Sequence, residues 1–198
     1  MNSTRIAISN LTLAYGKNAF MKDFSLKIDG PSVVKIFGSN GSGKTSLLRY
    51  MAGLYEGNEK NGNVKIECSN GIKLLDNTSS LIDDLTVREN IRFFTKGFIF
   101  KEGQQKEILV QVGMEEFNND LILELSSGMK KRIELGILLW QNPSIVCLDE
   151  PENFLDYDGI KIMNHMISKI TNNKGIIIYS SHNKELGNIQ YDLRIDLD

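Results

Sequence analysis

Gly38-Ser39-Asn40-Gly41-Ser42-Gly43-Lys44-Thr45 has the residue types and spacing to hold a chain of phosphates. The glycines let successive backbone N–H groups turn toward one anion. The helix that begins directly after them adds the positive end of its dipole at the same place. Lys44 is then placed to reach the β- and γ-phosphates and Thr45 to offer its hydroxyl to Mg²⁺, with Ser46 completing the binding set. Further along, Asp149 and Glu150 follow a short apolar run. Paired acids beside a bound phosphate suit two tasks: Asp149 holds Mg²⁺ through water, and Glu150 polarises the attacking water as general base. His182 ends another apolar run, where it could hydrogen-bond the γ-phosphate and sense its loss. Ser126-Ser127-Gly128, small residues ahead of a helical pattern, offer free N–H groups to a further anion. Each feature has a plainer reading: a glycine turn, an acidic surface turn before Pro151, a surface histidine, a capped helix. Together in one chain they favour the chemistry.

These groups need strands to deliver them and helices to cover the strands. Val33, Val34, Ile36 and Phe37 form a β-branched and aromatic run that leads into the glycine loop, and Leu47 and Leu48 continue a helix out of it. Before them, residues 5–15 and 21–28 alternate apolar and polar around a turn at Gly16-Lys17-Asn18, the pattern of a half-buried antiparallel layer. Val64-Lys65-Ile66 and Ile72–Leu75 read as a pair of short strands separated by Ser69-Asn70-Gly71. From Leu81 to about Glu124 the character is helical. Thr86 and Glu89 form a capping box, and apolar residues recur through Ile91, Phe94 and Phe98, then through Ile108, Leu109 and Val112. A helix is predicted from Ser126 to about Gln141, ended by Asn142-Pro143. Strand 144–148, a helix over about 156–170, strand 175–179, a short helix and a last strand around 193–195 follow. Strands alternating with helices after residue 33 predict an α/β core with a largely parallel sheet.

Composition limits the partners. The 198 residues carry a formal charge of −2, 41% hydrophobic and 24% charged residues, an ordinary globular balance without the basic footprint of a nucleic-acid binder. No apolar run approaches the roughly 18 residues of a membrane span, and MNSTRIAISN lacks a secretory core. Any membrane role is therefore expected through a partner. Cys68 and Cys147 read as packing residues rather than a disulfide, which suits a reducing cytoplasm.

Taken together, these motifs resemble those of the ATP-binding-cassette (ABC) ATPases. GSNGSGKT (38–45) matches the Walker A motif, IVCLDEP (145–151) the Walker B motif with its glutamate, and LSSGM (125–129) is similar to the signature LSGGQ. Asn153-Phe154-Leu155-Asp156 stands where the family has its D-loop and His182 where it has the switch histidine. Tyr15 stands where an aromatic ring stacks on adenine. Asn77 falls where the Q-loop glutamine, a metal or water contact, is expected, one methylene shorter. Ser127 replaces a glycine of the signature, and Met129, which cannot donate a hydrogen bond, replaces the glutamine expected to face the dimer partner.

The resemblance implies a single P-loop NTPase (RecA-like) domain over 1–198, with an antiparallel β layer and a small helical insert. The nucleotide-binding core would occupy about 1–85 and 129–198 and the helical part about 86–128. It implies ATP and Mg²⁺ as ligands, and ATP hydrolysis. It also implies a homodimer, or a heterodimer with a related ATPase, sandwiching ATP, with an integral membrane transporter subunit as partner at the cytoplasmic face of the cell membrane. Phe93, Phe94, Phe98 and Phe100 are candidate anchors for that partner. TSLLRYMAGL (45–54) is similar to the haem-export ATPases of cytochrome c maturation, one branch of the family. Two other readings stay open: a soluble cassette ATPase of nucleic-acid repair or translation, and a regulatory nucleotide-binding module with little turnover.

Overall fold

The computed structural model describes residues 4–96, 103–182 and 189–198. Alternating side chains build its first layer. In β1 (Arg5–Tyr15), Ile6, Ile8, Leu11 and Leu13 are buried. This strand pairs antiparallel with β2 (Asn18–Asp29) on one side and β4 (Asn58–Glu67) on the other. The hairpin closes through Gly16 and Lys17, with Tyr15 opposite Asn18. Gly16 takes φ +59°, the left-handed backbone that two-residue hairpin loops demand. Strand β2 therefore starts three residues before Met21, where alternation alone would begin it.

The second sheet is parallel throughout. Its order is β5 (Ile72–Leu75), β6 (Ile145–Asp149), β7 (Ile176–Ser181), β3 (Ser32–Phe37), β8 (Leu193–Asp196). The inner strands read as unbroken apolar runs because both faces are covered. On one face, Val34, Ile36, Cys147 and Ile178 pack with β1 and with Leu47, Leu48 and Met51 of α1 (Lys44–Met51). On the other, Val33, Val146, Leu148 and Ile177 pack with Leu135 and Leu138 of α4 (Ser127–Gln141) and Met163 and Met166 of α5 (Tyr157–Asn172). A third cluster joins α2 (Val87–Phe94) and α3 (Gln104–Val112) to Ile133 and Ile137 of α4.

Strands β4 and β5 follow one another closely in sequence but lie in different sheets. The loop between them is pinned: Asn70 Nδ2 donates to the carbonyls of Gln141 and Asn142 at 2.7 and 2.6 Å, and the Asn70 N–H to Ser144 Oγ at 2.9 Å. Those bonds carry the chain away from β1 and start β5 beside β6. The short helix expected before the last strand, like Phe98 and Phe100, falls largely or wholly outside the described residues. No helix among the described residues is long and apolar enough to cross a membrane.

Candidate nucleotide site

Parallel register brings the chemistry to one edge. Phe37 pairs with Ser181 and Asp149 with Ser180, so the glycine loop, the two acids and His182 all leave the carboxyl end of the sheet together. That edge is where open α/β sheets bind ligands. The loop turns into α1 through Gly43, which has φ +99° and whose missing Cβ would stand 2.9 Å from the Phe20 ring. Glycine is required there on both counts.

Lys44 is buried, and its Nζ donates to the carbonyls of Gly38 and Ser39 at 2.9 and 3.0 Å. The same nitrogen lies 3.5 Å from Glu150 Oε1. Thr45 Oγ1 donates to Asp149 Oδ2 at 2.7 Å. Glu150 has φ +47° and ψ +55°, a left-handed backbone that only surrounding contacts can hold in a residue of this type. Those contacts are present: its N–H donates to Ser180 Oγ at 2.9 Å, and Asn153 Nδ2 donates to its Oε2 at 2.9 Å. Ser180, fully buried, also donates to Asp149 Oδ1 at 2.6 Å. His182 Nδ1 lies 3.5 Å from Glu150 Oε1.

In front of these groups opens a cleft of about 530 Å³, lined by Tyr15, Phe20, Asn40, Gly41, Gly43, Lys44, Thr45, Ser46 and Glu150. Tyr15 is 55% exposed and stacks on Phe20 with ring centroids 5.4 Å apart; its hydroxyl is 3.3 Å from Ser46 Oγ. An open aromatic face at one end and a cationic, N–H-lined loop at the other suit a purine and its phosphates. The donor set also fits Mg²⁺: a hydroxyl and a carboxylate, both hard oxygen donors, already converge at Thr45 and Asp149. Among the described residues no cluster of three or more His, Cys, Asp and Glu could hold a metal, so remaining ligands would come from phosphate and water.

Asn77, Ser126, Ser127 and Gly128 are not among the residues that line this cleft. Asn77 is exposed two residues beyond β5, with Thr78 Oγ1 donating to it at 3.4 Å. Ser126 caps α4 by accepting the Met129 N–H at 3.3 Å, Ser127 and Gly128 begin the helix, and Met129 packs into the third apolar cluster. Within the loop, Ser42 Oγ is buried and has no hydrogen-bond partner among the described residues. Sequence reading named Asn153 within the D-loop stretch, without its bond to Glu150, and missed two participants. Ser180 was signalled only by a hydroxyl at the end of a buried apolar strand. Asp198 carried no signal: its Oδ1 accepts the Ser39 N–H at 2.7 Å. That bond, reinforced by the nearby Lys44 charge, holds the Asp198 carboxyl below the usual carboxylate range. Burial pushes the Cys147 thiol up to about 12, which removes it from thiolate chemistry.

Comparison with known proteins agrees with this geometry. A model of the ABC transporter family matches residues 21–153. The uncharacterized ABC transporter ATP-binding protein YybJ of Bacillus subtilis is 30% identical over 190 residues, 91% of this chain and 86% of that protein. The cytochrome c biogenesis ATP-binding export protein CcmA of Shewanella oneidensis is 29% identical over 197 residues, 96% and 91% of the two chains. The solved structure of a candidate ABC transporter ATP-binding protein from Pyrococcus furiosus superposes with a TM-score of 0.78, covering 98% of this chain and 97% of that one at 23% identity. At that identity the likeness speaks for the fold alone, a RecA-like P-loop NTPase core. The chain belongs to the ABC transporter family, as an ATP-binding and ATP-hydrolysing subunit of the kind that powers membrane transport.

Proposed function

We propose that the cassette hydrolyses MgATP with Glu150 as general base and His182 beside it, and that it does so as one of two ATPase subunits attached to a membrane transporter. The observation that carries this reading is the convergence of Lys44, Glu150 and His182, with Thr45 and Asp149 alongside, at one sheet edge. Lys44 balances phosphate charge, and N–H groups of the loop, apart from that of Ser39, which Asp198 takes, hold the phosphate oxygens. Tyr15 stacks on the base. Thr45 and Asp149 would hold Mg²⁺, which when bound neutralises charge on the phosphates. Glu150, oriented by Asn153 and by the Ser180 bond to its own N–H, accepts the proton of the attacking water. His182, within 3.5 Å of that carboxylate, is placed to donate to the terminal phosphate.

Two copies, or one copy and a related ATPase, close head to tail in this reading. Ser126, Ser127 and Gly128 of one cassette then cap the phosphates held by its partner. The helical part, about 86–128, and the loop at Asn77 face a membrane subunit, with the cassette peripheral on the cytoplasmic side. The relatives support a membrane partner by their names, which describe ABC transporter and export proteins. In purified protein, Glu150→Gln should keep ATP binding while turnover falls about 100-fold or more, the scale of a lost positioned base. Lys44→Ala should weaken nucleotide binding itself. Full turnover by the Glu150→Gln variant would remove this carboxylate from the mechanism.

A further inference from the structure

One ion pair outside the nucleotide cleft is buried and touches two loops, those that follow the parallel strands β5 and β6. Lys131 and Glu134 stand one turn apart on α4, with side chains only 3% and 4% exposed and Nζ 2.6 Å from Oε2. Lys131 Nζ also donates to the carbonyl of Thr78 at 2.8 Å and lies 5.1 Å from the centre of the Phe154 ring. The other oxygen of Glu134 accepts the Ser80 N–H at 2.6 Å, the Ser80 hydroxyl at 2.9 Å and the Ser79 hydroxyl at 3.3 Å. The pair thus touches the loop that follows Asn77 on one side. On the other it touches the ring adjoining Asn153, the residue that donates to Glu150.

A buried pair is an expensive way to gain stability, because desolvating two charges cancels much of their attraction. Apolar residues of the same size would fill the space at comparable stability. What charges supply instead is geometry. The ammonium needs a carbonyl, a carboxylate and a π face at fixed directions, and the carboxylate needs three donors. Both loops must therefore keep one position relative to α4 for the pair to be satisfied.

We propose that Lys131 and Glu134 are positioning residues for hydrolysis, setting where the 78–80 loop and the turn after Glu150 stand relative to α4. The proposal rests on Glu150 acting as the base. Removing the pair should let the turn relax, so that Asn153 no longer holds the carboxylate in line, while the phosphate loop on β3 and α1 is untouched. The effect belongs in kcat rather than in nucleotide affinity.

The test uses the double variant Lys131→Met/Glu134→Leu, which removes both charges at similar volume. ATP affinity and KM should stay within about twofold, whereas kcat should fall about tenfold, on the way to the 100-fold that a 1 Å misplacement costs. Phe154→Leu keeps the pair and withdraws only the ring, and should also lower kcat without weakening binding. A folded double variant with the turnover of the unaltered protein overturns the proposal. If that variant does not fold, unchanged kcat in Phe154→Leu does so. Glu150→Gln measured in parallel separates the two levels: full turnover there defeats the reading of the base, and loss of turnover there with a silent double variant defeats only the positioning role.

Discussion

Ser180 does more for the site than its size suggests. Its one hydroxyl donates to Asp149 and accepts from the Glu150 N–H, so it fixes the adjoining acids together. Ser180→Ala leaves a partly buried carboxylate oxygen short of a donor and the N–H short of an acceptor, a loss of about 1–3 kcal/mol. Chemical denaturation should show that loss, and ATP turnover should fall with it because Glu150 relies on this bond to hold its left-handed backbone. An unchanged turnover in a destabilised Ser180→Ala protein would make the serine purely structural. At this scale the sequence was half legible. The glycine loop and the acid pair are local spacings, readable wherever they stand. Ser180 and Asp198 act through parallel registration with strands over 30 or 150 positions away, and spacing carries no trace of that.

Elements were legible where a local rule governs them. The capping box at Thr86 and Glu89 forms as read, with the Thr86 N–H donating to Glu89 Oε2 at 2.8 Å. The β4–β5 stretch was not, because Asn70 and Ser144 decide its path and their partners are remote. Lys131 and Glu134 illustrate the same limit: on a helix they read as a solvated i,i+3 pair, and only tertiary packing buries them. Helix α5 is capped by Asp156, whose Oδ1 accepts the Gly159 N–H at 2.8 Å and whose carboxylate is gripped by the Arg132 guanidinium of α4. Arg132 first, and the Gly159 N–H after it, hold the Asp156 carboxyl below its ordinary value. A depressed carboxylate adds stability that is whole above the unfolded pKa of about 3.9 and is lost as pH falls through the folded one. Half-exposed, the group contributes only a fraction of a kcal/mol. Arg132→Met should therefore flatten the acid side of the stability profile below about pH 4 and leave the neutral side nearly level. Identical profiles for the two proteins would remove Arg132 as the cause.

At the scale of the whole molecule, two sheets and a helical cluster meet around α4, which faces the parallel sheet through Leu135 and Leu138 and the helices through Ile133 and Ile137. The aromatic anchors expected in the helical part divide. Phe93 is 55% exposed, whereas Phe94 is partly buried against the third cluster and meets Phe93 edge-on at 5.1 Å. Co-expressed with its membrane partner, the cassette should move to the membrane fraction, and Phe93→Ser should abolish that shift while ATP binding persists. Recruitment undisturbed by Phe93→Ser would place the contact elsewhere. Strand β8 has a practical consequence of another kind. It runs beside β3 from the Asp192–Val33 bonds to the Asp198–Ser39 bond, so residue 198 is delivered to the mouth of the phosphate loop. Anything joined beyond it leaves from that same mouth. A bulky affinity tag there shares space with the nucleotide, and a small dye at the same address becomes a reporter of whether the loop is filled.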